Sequence, residues 1–179
     1  MDSIFDIMGF AKVTGITDKT YTGQKLTQPK IKVVLNGKTL VNGTDYKVGY
    51  ANNKNAGTAI VKIIGINLYK GTINKTFKIA KATQKVKAVS PKHGATKKVA
   101  PSKSFVIKAL ASKEKGTAQF KKVSGNSKLT ISSAGKVTAK KGLVKGKTYT
   151  LKYKVRIKAT KNYKATKYVT RTVKVKIKK

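Results

Sequence analysis

Short runs of alternating apolar and polar residues, bounded by Gly and Asn, recur along the whole chain. Helical spacing, in which apolar residues recur at i, i+3 and i+4, is nearly absent. Alternation with a period of two is typical of strands that bury one face, so the pattern predicts an all-β protein. The strongest turn signal is Asn36-Gly37, because both positions of a type I′ turn need positive φ. It predicts a hairpin over residues 30–40.

The composition of the chain changes at one place. Residues 80–104 contain Pro91 and Pro101, many Lys residues including the pair Lys97-Lys98, and the single His, and this change in composition predicts a domain boundary. The organisation predicted is an apolar segment at 1–10, a first domain at 11–80 and a second at 81–179. Other strands are expected at residues 46–50, 58–64, 73–79, 84–89, 105–110, 118–123, 129–132, 136–139, 149–158 and 168–178.

The last two predicted strands have the clearest alternation in the chain. One side of each is apolar, and the other side is basic. If the two strands are neighbours, like charges face each other across them, which is destabilising and favours a polyanionic partner as a source of counter-ions. The residues expected to form this polyanion-binding surface are Lys152, Lys154, Arg156, Lys158, Lys174, Lys176 and Lys178.

The overall charge points to the same kind of partner. The chain has 42 Lys and Arg against 5 Asp and Glu, a formal net charge of +37. Only Arg156 and Arg171 are arginines, and Lys is a hydrated point charge without the bidentate fork of Arg. Bulk attraction is therefore favoured over sequence-specific readout. The partners considered are teichoic acid or an anionic polysaccharide, anionic lipid, and nucleic acid; the alternative is a charged face that only maintains solubility.

Aromatic side chains bear on the choice between these partners. Tyr149 and Tyr153 share the apolar side of their strand and are expected in the core. Tyr163 and Tyr168, near the tip of the last hairpin, are the candidates for stacking on bases or sugar rings.

The residues needed for catalysis are scarce. The chain has no Cys, and its single His, His93, lies in a Gly/Pro loop where a solvated side chain is expected. The five acids are scattered, so neither a carboxylate pair nor a metal cluster is expected, and Asp45 is expected to bond local backbone in its turn. We therefore expect a protein that is not an enzyme and needs no cofactor.

The N-terminus carries a short apolar segment. It lacks the basic region of a signal peptide, and no apolar run in the chain approaches the roughly 20 residues that span a bilayer. We expect a mature or cloned fragment, or a protein that leaves its cell by another route, such as inside a virus particle. The segment is either a strand or short helical turn covering the first domain, an added sequence, or a peptide that docks into a larger assembly. The docking candidates are Ile4, Phe5, Ile7, Met8 and Phe10.

Four phrases in the first half occur in order at regular spacing. They are YTG at 21–23, GTDY at 43–46, YANNKNAGTA at 50–59 and GINLYKGTINKTF at 65–77. Together they closely resemble a bacterial Ig-like repeat of the kind found in large surface proteins of Gram-positive gut bacteria. The resemblance covers about residues 11–79.

The second half is more loosely similar to the bacterial Ig-like domain of intimin and invasin type. The similarity rests on LTIS at 129–132, GKVTA at 135–139 and the long closing pair of strands. These resemblances imply two tandem Ig-like β-sandwiches that act as stalks, spacers or adhesive modules, extracellular on a bacterial surface or on a phage virion. They imply no catalytic residue.

Overall fold

The computed structural model describes residues 8–179. The chain divides after Ala82 into two compact units. Unit 1 extends to Ala82, unit 2 is Thr83–Lys179, and each is described by itself.

Unit 1 is built from short strands, which follow from the alternation described above. A 3-10 turn at Met8–Phe10 precedes them. The strands are β1 Lys12–Thr14, β2 Lys19–Thr20, β3 Lys32–Leu35, β4 Lys38–Leu40, β5 Tyr46–Ala51, β6 Gly57–Gly65 and β7 Thr72–Ala80.

These strands form two sheets in unit 1. One sheet has the order β1-β3-β4, and the other has the order β2-β7-β6-β5, in which β2 is parallel to β7 and the other pairs are antiparallel. Buried apolar side chains from both sheets form one cluster, so the core lies between the sheets. Its members include Val33, Leu35, Leu40, Ala59, Val61, Ile63, Phe77 and Ile79.

Two local predictions for unit 1 are confirmed. Asn36 and Gly37 have φ values of 48° and 79°, and they join β3 to β4 as the hairpin turn requires. The Asp45 carboxylate accepts a hydrogen bond from the Val41 backbone N–H at 2.8 Å, as expected for an acid in a tight turn. Local chemistry thus determines both turns.

Unit 2 has longer strands near its C-terminal end. The strands are β8 Val86–Ser90, β9 Thr96–Val99, β10 Ser104–Val106, β11 Lys108–Ala111, β12 Ala118–Ser124, β13 Leu129–Ile131, β14 Lys136–Ala139, β15 Thr148–Ile157 and β16 Val169–Ile177.

The largest sheet of unit 2 has the order β12-β15-β16-β9, with β9 parallel to β16. The remaining strands form a sheet of order β10-β14-β13 and a pair β11-β8. Apolar side chains from these groups meet in a single core cluster. Its fully buried members include Leu129, Val137, Leu151, Tyr153, Val155, Val173, Val175 and Ile177.

The structure corrects the strand prediction in two places in unit 2. The single strand expected at residues 105–110 is two strands in different sheets, because the buried Ile107 lies between them and donates its N–H to Gly135 O at 2.8 Å. The sequence did not predict β9 at all. This edge strand reads Thr-Lys-Lys-Val and buries only Val99, so it shows no alternation.

Both units therefore bury a core between facing sheets, and the predicted all-β sandwich fold is confirmed. The short strands β1 and β2 of unit 1 were also missing from the prediction, since two or three residues are too few to show a period. Within residues 8–179, no helix is long and apolar enough to cross a bilayer.

Candidate functional site

The sheet β12-β15-β16-β9 of unit 2 has one apolar face and one basic face. On β15, the odd-numbered residues from Leu151 to Ile157 are buried, whereas Lys152, Lys154 and Arg156 alternate with them on the outer side. On β16, Lys174 and Lys176 alternate with buried valines and isoleucine in the same way. Strand parity thus places these bases on the outer face, which we call the cationic face.

The register between β15 and β16 decides how the charges are arranged. Each lysine of one strand lies opposite a threonine of the other: Thr148 opposite Lys176, Thr150 opposite Lys174, Lys152 opposite Thr172 and Lys154 opposite Thr170. The expectation that like charges face each other across these two strands is therefore wrong. Each outer pair between β15 and β16 therefore contains one lysine and one threonine.

Like charges do face each other at the flanks of this pair. Lys121 of β12 lies opposite Lys154, and Lys98 of β9 lies opposite Lys176. Sequence reasoning missed both flanking lysines, because their strands lack the long alternation of β15 and β16. The cationic face therefore consists of Lys98, Lys121, Lys152, Lys154, Arg156, Lys174 and Lys176.

Tyr168 is 38% exposed and lies over two of these bases. Its ring centroid is 5.0 Å from the Lys154 Nζ and 4.8 Å from the Arg156 Cζ. Its hydroxyl and the Arg156 Nε both donate to Gln119 Oε1, at 3.3 and 2.8 Å. The ring already engages cations of the protein, and one donor of the guanidinium is occupied.

The two remaining predicted bases extend the face beyond the strand ends. Lys158 is exposed directly after β15, and its backbone N–H donates to Thr117 O. Lys178 is exposed directly after β16, and its backbone N–H donates to Val99 O at 3.0 Å. Both continue the pairing of the neighbouring strands.

Two depressions adjoin Lys178 at this end of the sheet. One, of about 340 Å³, is lined by residues that include Lys98, Lys176, Lys178 and Lys179. The other, of about 440 Å³, is lined by residues that include Lys97, Lys98, Lys103 and Lys178. The two share Lys98 and Lys178, so the cationic face ends in a concave, lysine-lined surface.

The other predicted tyrosines are placed differently. Tyr153 is fully buried, as predicted, and burial raises the pKa of its hydroxyl, while the nearby Arg171 opposes that rise. Tyr149 is half-buried against the core, and its hydroxyl accepts a hydrogen bond from the Val144 N–H at 3.0 Å. Tyr163 is half-buried, and its backbone N–H donates a hydrogen bond to Thr160 Oγ1. Tyr163 therefore offers a less accessible ring than Tyr168.

Acidic side chains are scarce around the cationic face. Unit 2 contains one, Glu114, which accepts a hydrogen bond from the Thr160 hydroxyl. His93 is exposed, and its Nδ1 lies 3.0 Å from the Thr172 N–H, which donates to it. Among residues 8–179, no group of three or more metal-ligating side chains converges.

The N-terminal docking candidates do not form one exposed surface. Met8 is fully buried in the core of unit 1, and its N–H donates to Lys70 O at 3.2 Å, so this side chain is not available for docking. Phe10 is 83% exposed. Ile4, Phe5 and Ile7 lie outside the described residues. For Met8–Phe10, the short helical turn covering the first domain is the reading that the structure supports.

The pairing of strands defines the class of protein: all-β, with a sandwich of facing sheets in each unit. No family model matches the chain, and no curated protein matches it. Solved structures that are similar include the human mucin-like protocadherin EC1-2, with 9% identity over 94% of this chain and 98% of that one at a TM-score of 0.48.

Two further similar structures are another protocadherin and an S-layer protein. The protocadherin gammaB7 EC3-6 cis-dimer is 11% identical, over 93% of this chain and 50% of that one, at a TM-score of 0.45. This chain thus covers half of that EC3-6 chain. Domains 4 and 5 of the S-layer protein SbsC are 17% identical, over 93% of this chain and 97% of that one, at a TM-score of 0.31. Likeness at this level carries no argument about function.

Proposed function

We propose that this chain is a non-catalytic structural or adhesion module of the bacterial Ig-like (Big) type, displayed outside a bacterial cell or on a phage particle. Its unit 2 binds an anionic polymer, a cell-wall glycopolymer or polysaccharide, through the cationic face. The observation that carries this proposal is the collection of seven bases on one outer sheet face, in a unit with a single acidic side chain.

The composition of this surface exceeds what solubility requires. A soluble surface normally mixes both signs of charge, because interspersed acids and bases avoid a large field of one sign. Here Lys121 faces Lys154 and Lys98 faces Lys176 with no acid between them. Such juxtaposed charges destabilise a sheet, and a bound polyanion relieves that cost by neutralising them.

Nucleic acid is the second candidate, favoured by the charge alone. A single-strand binder combines a basic groove with aromatic rings on which bases stack. Tyr168 is the exposed ring on this face, and it is already in contact with Lys154 and Arg156. This arrangement favours a polymer without bases. An inert spacer or a virion component is the third reading.

The test compares binding of teichoic acid, a sulfated polysaccharide and duplex DNA across a salt titration. The variant replaces four lysines of the cationic face by Gln: Lys152, Lys154, Lys174 and Lys176. A matched control replaces four exposed lysines elsewhere in unit 2 and removes the same charge: Lys108, Lys136, Lys140 and Lys141. Circular dichroism checks that both variants fold.

We expect binding to one anionic polymer that persists at 0.15 M salt, where screening acts beyond about 8 Å. Log affinity falls with log salt, and each contact contributes roughly 0.7 to 0.9 to the magnitude of this negative slope. Loss of four contacts should therefore reduce the magnitude by about 3. The control should bind as the parent does. Equal effects of the two variants contradict a defined face, and an absence of saturable binding to every polymer supports the inert spacer.

A further inference from the structure

The bases of β15 and β16 on the cationic face lie in one file, which continues through Lys158 and Lys178 just beyond the strand ends, and we propose that the ligand is a single extended polyol-phosphate chain lying along that file. This inference rests on the proposed function and names the partner's chemical class and its orientation. The file contains Lys158, Arg156, Lys154, Lys152, Lys174, Lys176 and Lys178.

The register produces the file. Arg156, Lys154 and Lys152 follow one another at every second residue of β15, and Lys152 lies opposite Thr172. We call each pair of opposite outward-facing residues of β15 and β16 one level. Because the strands are antiparallel, the next level holds Thr150 on β15 and Lys174 on β16. The file of bases therefore crosses at this level from β15 to β16. It then continues along β16 at every second residue. Each level of the sheet thus carries one base of the file.

The spacing of the file follows from strand geometry. Two residues of an antiparallel strand advance about 6.7 Å, so seven bases at successive levels span about 40 Å along the strands. The crossing from Lys152 to Lys174 also moves sideways by one inter-strand spacing of about 4.8 Å, so this single step is about 8 Å. A ligand that satisfies every base therefore carries one negative charge per repeat of similar length.

A chain of three-carbon polyol units joined by phosphodiesters has that repeat. Six backbone bonds separate successive phosphorus atoms, twice the three bonds of an amino-acid residue, and an extended residue spans about 3.3–3.6 Å. The phosphate repeat of the extended chain is therefore about 6.6–7.2 Å. This repeat matches the steps along each strand, and the flexible Lys side chains can span the small difference at the crossing.

The neighbours of the file favour a polyol over a nucleic acid, whose backbone has the same number of bonds per phosphate. Exposed threonines Thr148, Thr150 and Thr170 lie beside the lysines, and their hydroxyls can donate to phosphate or accept from polyol hydroxyls. Tyr168, the exposed ring, packs against Lys154 and Arg156 at one end of the file. No base-stacking platform runs along the rest of the described face.

The flanking lysines provide extra charge near both ends. Lys121 lies level with Lys154, and Lys98 lies level with Lys176. The two depressions that share Lys98 and Lys178 lie at the second end. A terminal phosphate of the ligand can therefore be surrounded by several ammonium groups, whereas its central phosphates meet one base each.

The experiment measures binding of size-defined 1,3-linked glycerol phosphodiester oligomers with two to ten phosphates by isothermal titration calorimetry at several salt concentrations. The slope of log affinity against log salt is negative, and its magnitude should grow by about 0.7 with each phosphate and level off near 5 at about seven phosphates. A parallel series of oligothymidylates with the same numbers of phosphates tests the contribution of bases.

Paired variants test the middle of the file. The double substitution Lys152→Gln and Lys174→Gln removes two contacts of about 0.7 each. It should therefore reduce the magnitude of the slope at which the oligomer series levels off by about 1.4. Lys108→Gln with Lys136→Gln removes the same charge from exposed positions on the other sheets and should leave the slope unchanged.

The outcomes separate this inference from the proposed function. If the magnitude of the salt slope keeps growing beyond eight phosphates, the single file is wrong. The proposed polyanion-binding face still stands in that case. Markedly tighter binding of oligothymidylate than of the base-free oligomer overturns the polyol assignment in favour of nucleic acid. If the diester oligomers fail to bind while a sulfated polysaccharide binds through the cationic face, the inference is wrong and the proposed function stands. If nothing binds, both are wrong.

Discussion

Replacing Tyr153 by Phe should stabilise unit 2, although Tyr153 is fully buried in its core. The Oη of this residue is inaccessible to solvent and has no hydrogen-bond partner among the described residues. Its ring packs against Phe120 with centroids 6.0 Å apart, and Phe preserves that contact. The substitution therefore removes a buried polar group while it keeps the packing.

The expected gain follows from the cost of an unsatisfied buried group. Such a hydroxyl costs about 1–3 kcal/mol, so Tyr153→Phe should raise the free energy of unfolding by about 1 kcal/mol or more. For a unit of this size, 1 kcal/mol corresponds to a shift of about 4–8 °C in Tm. Differential scanning calorimetry and urea titration of the full chain measure the two quantities.

Tyr149→Phe is the matched control. The Tyr149 hydroxyl accepts the Val144 N–H at 3.0 Å, so removing it leaves that donor without its partner and should destabilise unit 2. If Tyr153→Phe destabilises as much as Tyr149→Phe, the Tyr153 hydroxyl is held by a hydrogen bond and the reasoning is refuted.

The pH dependence gives a second test of the same residue. Burial raises the pKa of Tyr153 above its unfolded value of about 10. The folded state therefore holds this proton more strongly, and the resulting stability is complete below about pH 10 and is lost as pH rises through the folded pKa. Phe cannot ionise, so the advantage of Tyr153→Phe over the parent should be constant up to pH 9 and grow above pH 10. A constant advantage throughout contradicts this account.

Two further substitutions test the packing and the charge of unit 2. Gly135→Ala should destabilise unit 2 by more than about 1 kcal/mol, because φ is +87° and the new Cβ would lie 2.4 Å from Ile107 O. Gly94 also has a positive φ, +77°, but a Cβ there meets open space. Gly94→Ala should therefore destabilise unit 2 less, and urea titration of both variants measures the difference. Lys121→Gln should stabilise unit 2 by about 0.2–1 kcal/mol at low salt by relieving repulsion with Lys154, and a gain that persists unchanged at 0.5 M salt contradicts that cause.

Much of the fold could be predicted because its signals are local. The hairpin at Asn36-Gly37 depends on the positive φ of two adjacent residues, and the long strands β15 and β16 depend on side chains that alternate within one segment. Edge strand β9 could not be predicted, since its pairing with β16 supplies its hydrogen bonds and only Val99 enters the core. The burial of Met8, one of the docking candidates, likewise depends on the folded unit 1, because its core forms only when distant strands come together.

The sequence by itself determined which residues belong to the basic side of each strand, because the alternation of side chains is a property of the strand alone. It also determined the sign and the excess of charge. Only the tertiary structure decided how those bases are arranged relative to one another. The register of the strands and the order of neighbouring strands depend on contacts between distant segments. These contacts place Lys152 opposite Thr172 and bring Lys98 and Lys121 beside the central strands. The basic sides of separate strands thereby form one cationic face.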